Sequence, residues 1–225
     1  MPVQFSYASD VHVRFPQLRT RAITVSGIDN ISRLPTLHSV FLSRANKRLD
    51  ETTEANFAEV QAWRHVFSAM GFRPTQYRCA SEALLRRYRK SRELPSIHPL
   101  VDLCNAASLA FAIPVAVFDI EKIQGTLYVK HADGSEIYED FNGVVENPVI
   151  GEIIFVDEGG RAHARRWTHR QSGWSAVQYG TKEVLIVAEA LHELADVHVL
   201  SLISALSEAI CSTWPDSELT KLSIS

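Results

Sequence analysis

The texture of this chain changes at Pro114, and that change limits the folds open to it. Before Pro114 apolar residues recur at helical spacing. After it come short runs of Val, Ile and aromatics at residues 115–120, 126–132, 152–157, 161–167 and 183–188. Asp133-Gly134, Asn142-Gly143 and Glu158-Gly159-Gly160 separate these runs with residues that tolerate positive φ. In the first half, residues 20–28 read as a strand closed by Asp29-Asn30. From Thr53 onward Phe57, Val60, Val66, Phe67 and Met70 mark a helix, with Gly71 as its stop. Ser81 is the expected N-cap of a helix reaching about Glu93, with Glu82 in its first turn; Leu94-Pro95 breaks it. Pro99 opens a further helix to about Ala112. A last helix runs from Leu194 to about Ser212, and Trp214-Pro215 begins a polar tail. Helices and strands segregate, which predicts an α+β fold: a single mixed domain with a mainly antiparallel sheet and packed helices. Neither repeat nor linker divides residues 1–225.

Apolar residues make up 46% of the 225 and charged ones 22%, enough to build a core and to exclude disorder. A net charge of −3 argues against a general polyanion binder, so DNA is not an expected partner. The charge is unevenly spread. Between Arg73 and Arg92 seven cations face Glu82 alone, a local +6 that leaves −9 for the rest. Cys79, Cys104 and Cys211 are odd in number and lack CxxC spacing, which speaks against disulfides and a zinc knuckle and for a reducing, cytoplasmic location. Residues 1–5 carry no signal-peptide pattern, and no uninterrupted apolar stretch is long enough to span a membrane, so no membrane partner is expected.

If the segment after Ser81 is helical, Arg86, Arg89, Lys90 and Arg92 cannot all be buried. Such a row suits phosphates, although a solvated helix face is the commoner outcome. Arg161, Arg165, Arg166 and Arg170 lie near Trp167 and Trp174, a mixture that serves base stacking or ordinary packing. Asn105 and Ser108 share one face of the helix from Pro99, where Asn105 either fixes a ligand or packs. His98 reads as a capping or surface residue before it reads as a base. His192 and Asp196 have i, i+4 spacing, but HExxH fails because Asp196 stands in the second histidine position; no metal or other cofactor is expected. GxSxG and phosphate-loop patterns are absent, so any hydrolysis would rely on a positioned water.

Taken together, these segments resemble the editing module of the phenylalanyl-tRNA synthetase β subunit, the B3/B4 module, and more closely its free-standing relatives. The resemblance rests on Arg73-Pro74, the run Ser81 to Arg87, Leu94-Pro95, Pro99-Leu100-Val101-Asp102 with Asn105-Ala106, Pro114, Phe118-Asp119 and Ile123-Gln124-Gly125. It continues through residues 151–157, Arg165-Arg166-Trp167, Arg170-Gln171-Ser172, Thr181 and Val184-Leu185, covering residues 20–190 and leaving 191–225 as a C-terminal helix and tail. It implies a mixed α+β module that hydrolyses the ester joining a wrong amino acid to tRNA, with no ligase activity. Asn105, Arg170, Gln171, Ser172 and Thr181 would bind substrate. Arg78, Arg86, Arg87 and Arg89 would meet the tRNA near its acceptor end. No catalytic residue is assigned, and the oligomeric state is left open. Two departures bear on the substrate. Ala116 stands where synthetase-borne modules carry a histidine, and Arg170-Gln171 precedes Ser172-Gly173 where they place a tyrosine-reading glutamate. Losing an acceptor for a hydroxyl changes discrimination by orders of magnitude, so tyrosine is not the expected substrate. The rival readings are a non-catalytic binder of tRNA or amino acid in the same fold, and a small-molecule protein unrelated to tRNA.

Overall fold

The computed structural model describes residues 3–28 and 36–224, so Asp29-Asn30, the expected end of the first strand, lies outside the described residues. The chain opens with strand β1 (Gln4–Tyr7), helix α1 (Ser9–Arg14) and β2 (Arg19–Ser26). Helices follow: α2 (Thr36–Glu51), a 3-10 turn (Glu54–Asn56), α3 (Ala58–Ala69), α4 (Ala80–Ser91) and α5 (Pro99–Phe111). Beyond Pro114 lie β3 (Val115–Asp119), β4 (Thr126–His131), β5 (Ile137–Glu139), β6 (Val145–Glu146), β7 (Ile153–Val156), β8 (Arg161–Arg165), β9 (Arg170–Gln171) and β10 (Glu183–Ala190). Helix α6 (Ala195–Thr213) and β11 (Glu218–Lys221) complete the chain. The change of texture at Pro114 is thus the α-to-β boundary, and the fold is α+β.

Two sheets form rather than one. The smaller is antiparallel in the order β11-β2-β10-β3; the larger runs β1-β4-β7-β8-β5-β6, with β9 on β8. In the larger sheet β1–β4 and β5–β8 are parallel pairs, and β4–β7 and β7–β8 are antiparallel. β10 explains how the layers meet. It is the long inner strand of the small sheet, and its side chains alternate between two cores. Val184, Ile186, Ala188 and Ala190 face α5 and α6, while Leu185 and Val187 face a second core with Phe118, Phe155 and Trp167. Glu189 has the parity of Leu185 and Val187 and therefore points into that second core. Period two puts an acid where the neighbouring positions are apolar.

Three local expectations need correction or refinement. Ser81 is not the N-cap of α4: Cys79 takes that position and Ser81 is buried in the first turn. The cause is Thr168, whose carbonyl accepts from the Ala80 amide at 2.7 Å and satisfies the first helical N–H from outside. The polar tail after Trp214-Pro215 holds a strand, β11, whose backbone pairs antiparallel with β2 from Glu218↔Ser26 to Lys221↔Ile23. Polar side chains suit an edge strand, and buried Trp214 anchors the approach. His98 does cap α5, accepting from the Leu100 amide at 3.3 Å. By length and mean apolarity α6 could cross a membrane, yet it carries Asp196 and Glu208 and buries Val199, Leu202, Ile203, Leu206 and Ile210 against the first core.

Candidate active site

Between the two layers lies a cavity enclosing about 40 Å³, more than the roughly 10–15 Å³ that one water needs. Ala80 from the start of α4, Pro114 and Ala116 at β3 and Ala164 of β8 line it together with the Phe155 and Trp167 rings. Gln171 and Glu189 supply polar groups. Two consecutive residues with left-handed backbone, Arg166 (φ 48) and Trp167 (φ 57), reverse the chain after β8. Neither is glycine, so the turn holds strain of the order of 1–3 kcal/mol per residue. Packing of the fully buried Trp167 ring edge-on to Trp63 at 5.2 Å holds it there.

That turn delivers the Trp167 indole N–H to Glu189 Oε1 at 2.7 Å. The Tyr7 hydroxyl donates to the same oxygen at 2.5 Å. With the Tyr7 proton committed, the hydroxyl of Thr20, 2.8 Å away, is left to donate to the phenol oxygen. Both bonds to the carboxyl fall on Oε1, which leaves Oε2 without a hydrogen-bond partner among the described residues, in a side chain that lines the cavity. Among the described residues no cation pairs with Glu189. Burial pushes its carboxyl up to about 7, against the two hydrogen bonds that hold it down. The Tyr7 phenol is raised well above its ordinary value, first by burial and then by Glu189. A carboxyl balanced near neutrality beside space for a water is the arrangement a general base requires.

The sequence did not nominate Glu189. Its signal was present: a single acid inside a run, Val184 to Ala190, that is otherwise apolar. Of the nominated substrate residues, Gln171 lines the cavity and donates from Nε2 to the Val117 carbonyl at 2.7 Å. Arg170 turns outward and pairs with Asp140 at 2.9 Å. Ser172 is sealed in, donating to the Glu139 carbonyl at 2.6 Å, and Thr181 donates to Asp119 at 2.8 Å. Asn105 is half-buried on α5 and does not line the cavity. The geometry therefore brings together Gln171 and Glu189, with the other four placed around them or apart.

A second polar cluster has the connectivity of a nucleophilic triad. Ser175 Oγ lies 2.8 Å from His163 Nδ1, and His163 Nε2 lies 3.2 Å from Asp157 Oδ2. Ser175 and His163 have no exposure and do not line the cavity, so no substrate reaches them. Asp157 is lowered by His163 and by the Gln124 and Arg161 amides, which outweigh its burial. This cluster locks a turn.

The basic helix is less free than its composition implies. Buried Glu82 draws Arg64 (2.6 Å) and Arg78 (3.4 Å), and buried Glu54 draws Arg89 (2.9 Å) and Arg86 (3.7 Å). Arg87 is exposed and, with Arg86 and Lys90, lines an open cleft of about 540 Å³ that ends at Leu94-Pro95. In the second basic stretch Arg165 is buried on Glu152 at 2.7 Å, and Arg161 lies over the half-exposed Trp174 ring at 4.1 Å.

Comparison with known proteins gives concordant results. The B3/4 domain family matches residues 62–200. Phenylalanine–tRNA ligase β subunits of Bartonella quintana and Bartonella henselae are 26% and 28% identical over 142 residues, 62% of this chain. The matched segment corresponds to 17% of those relatives' length. An N-terminal fragment of the phenylalanyl-tRNA synthetase β subunit from Pyrococcus horikoshii superimposes with a TM-score of 0.57 at 10% identity, covering all of this chain and 52% of that one; this likeness is one of fold.

Proposed function

The chain belongs to the B3/4 domain family, and from that premise we propose that it hydrolyses wrongly charged aminoacyl-tRNA, acting in trans in the cytoplasm on tRNA charged elsewhere. The observation that carries this reading is the Glu189 carboxyl, pushed up to about 7 and lining a water-sized cavity. In this reaction Glu189 Oε2 takes a proton from water as the water oxygen bonds to the ester carbonyl carbon. The tetrahedral intermediate then expels the ribose oxygen, which receives that proton, and free amino acid and tRNA leave. Gln171 would turn its amide from Val117 to the acyl group. Ser172 and Thr181 hold β9 and the end of β3 behind it, and Asn105 and Arg170 serve from outside the cavity. The small volume of the cavity favours a small amino-acid side chain. Arg87 and Lys90 carry the phosphate contact, with Arg78, Arg86 and Arg89 sharing their charge with Glu54 and Glu82.

The test is deacylation of a panel of misacylated tRNAs under single-turnover conditions. Release faster than spontaneous hydrolysis for a small amino acid, lost in Glu189→Gln, supports the reading. A second reading, a binding module of the same fold, is favoured by the narrowness of the cavity and by Ala116. Spontaneous-rate release with salt-sensitive tRNA binding would leave only that one.

A further inference from the structure

Away from the cavity, three side chains remote in sequence converge. Glu59 comes from α3, His192 from the turn after β10, and His198 from the first turns of α6. His192 Nε2 lies 2.8 Å from His198 Nδ1, which lies 3.7 Å from Glu59 Oε1. One donor atom from each residue falls within 4.8 Å of the other two. Ligand atoms on a tetrahedral ion with bonds of about 2.0–2.1 Å sit roughly 3.3 Å apart, a value these two separations bracket.

Burial of His192 and Glu59 sets this cluster apart from solvated surface groups. His192 also borders an open cleft of about 370 Å³ with Gln17, Arg19 and Asp196, which gives an ion a way in.

We propose that Glu59, His192 and His198 bind a divalent transition metal of the zinc class, with water in the fourth position, fastening α3 to α6. The sequence reading looked for a partner four residues beyond His192, but Asp196 is taken by Arg21 at 2.7 Å. The partner stands six residues on, and the third ligand comes from another helix. Arg48 Nη2 lies 3.0 and 2.9 Å from the two oxygens of Glu59. It orients the carboxylate and also competes for its charge, which sets a moderate rather than extreme affinity.

The experiment is titration of the full chain with Co(II) and, separately, Zn(II), read by visible absorption and by thermal unfolding. One equivalent with a tetrahedral nitrogen/oxygen spectrum, and a melting point raised several degrees in excess metal, is the expected result. His198→Ala, at a partly exposed position, should weaken metal binding at least a hundredfold and abolish the melting shift; His198→Asn serves if the first variant does not fold. No bound equivalent, unchanged binding by the variant, or a thiolate spectrum traced to exposed Cys211 overturns the site.

Discussion

Glu54 beneath α4, Glu82 in its first turn and Glu189 on β10 are buried alike, yet they meet opposite surroundings. Each of the first two is met by two guanidinium groups, whereas Glu189 is met by a phenol and an indole, both neutral. Burial is common to both regions; the countercharge is not. Where it is supplied, an acid braces a helix and dilutes its positive field. Where it is withheld, the carboxyl exchanges protons near neutral pH and becomes fit for chemistry.

That contrast breaks most readily at the reaction. Glu189→Gln should lower the single-turnover deacylation rate by about 10²–10⁴-fold, the usual contribution of a general base, while circular dichroism stays native. In the unmodified protein the rate should climb with pH and level off above about 7, as the carboxyl ionises. The next effect is on stability. Because folding raises this acid from 4.5 to about 7, the folded state binds more protons than the unfolded between those values. Stability from this group is whole below about 4.5, declines as pH rises through the window and is gone above about 7. Denaturant melts across it should fall by up to about 3 kcal/mol relative to Glu189→Gln. A flat difference between the two proteins would place the carboxyl among ordinary ones.

On the other side of the comparison, Glu82→Gln leaves Arg64 and Arg78 without their anion. About 2 kcal/mol of destabilisation is expected by urea unfolding, below the range for fully buried pairs because both arginines are partly exposed. The smallest effect concerns tRNA affinity. Arg87→Ala should weaken binding by about 1 kcal/mol and reduce the salt slope by about one, and Arg89→Ala should do less, since Glu54 already holds it. Equal losses would show that the buried acids do not screen their partners.

The β half was legible from the sequence because alternating apolar residues and Gly-containing turns are local signals. The runs at 115–120, 126–132, 152–157 and 183–188 each became a strand with ends shifted by two residues at most. The sequence reading did not nominate α2 or the short strands β5, β6 and β9, and other features it missed depend on distant partners. β11 is polar and is a strand only because β2 offers an edge. α4 starts at Ala80 because Thr168, almost ninety residues on, caps it. The arginine row read as free because Glu54, a 3-10 residue well upstream, gave no hint that it would fold beneath α4. Of the two polar residues that line the cavity, the resemblance had named Gln171, while Glu189 was passed over as one letter in a strand.

Tyr7 reaches Glu189 from a strand that begins at Gln4, and Thr20 from the next strand, both outside the 62–200 span by which the family is recognised. A fragment cut to that span would keep the family's signature and forfeit the phenol that tethers Glu189. Anyone moving this buried acid to another chain, or looking for it among relatives, should therefore follow the tether as well as the signature.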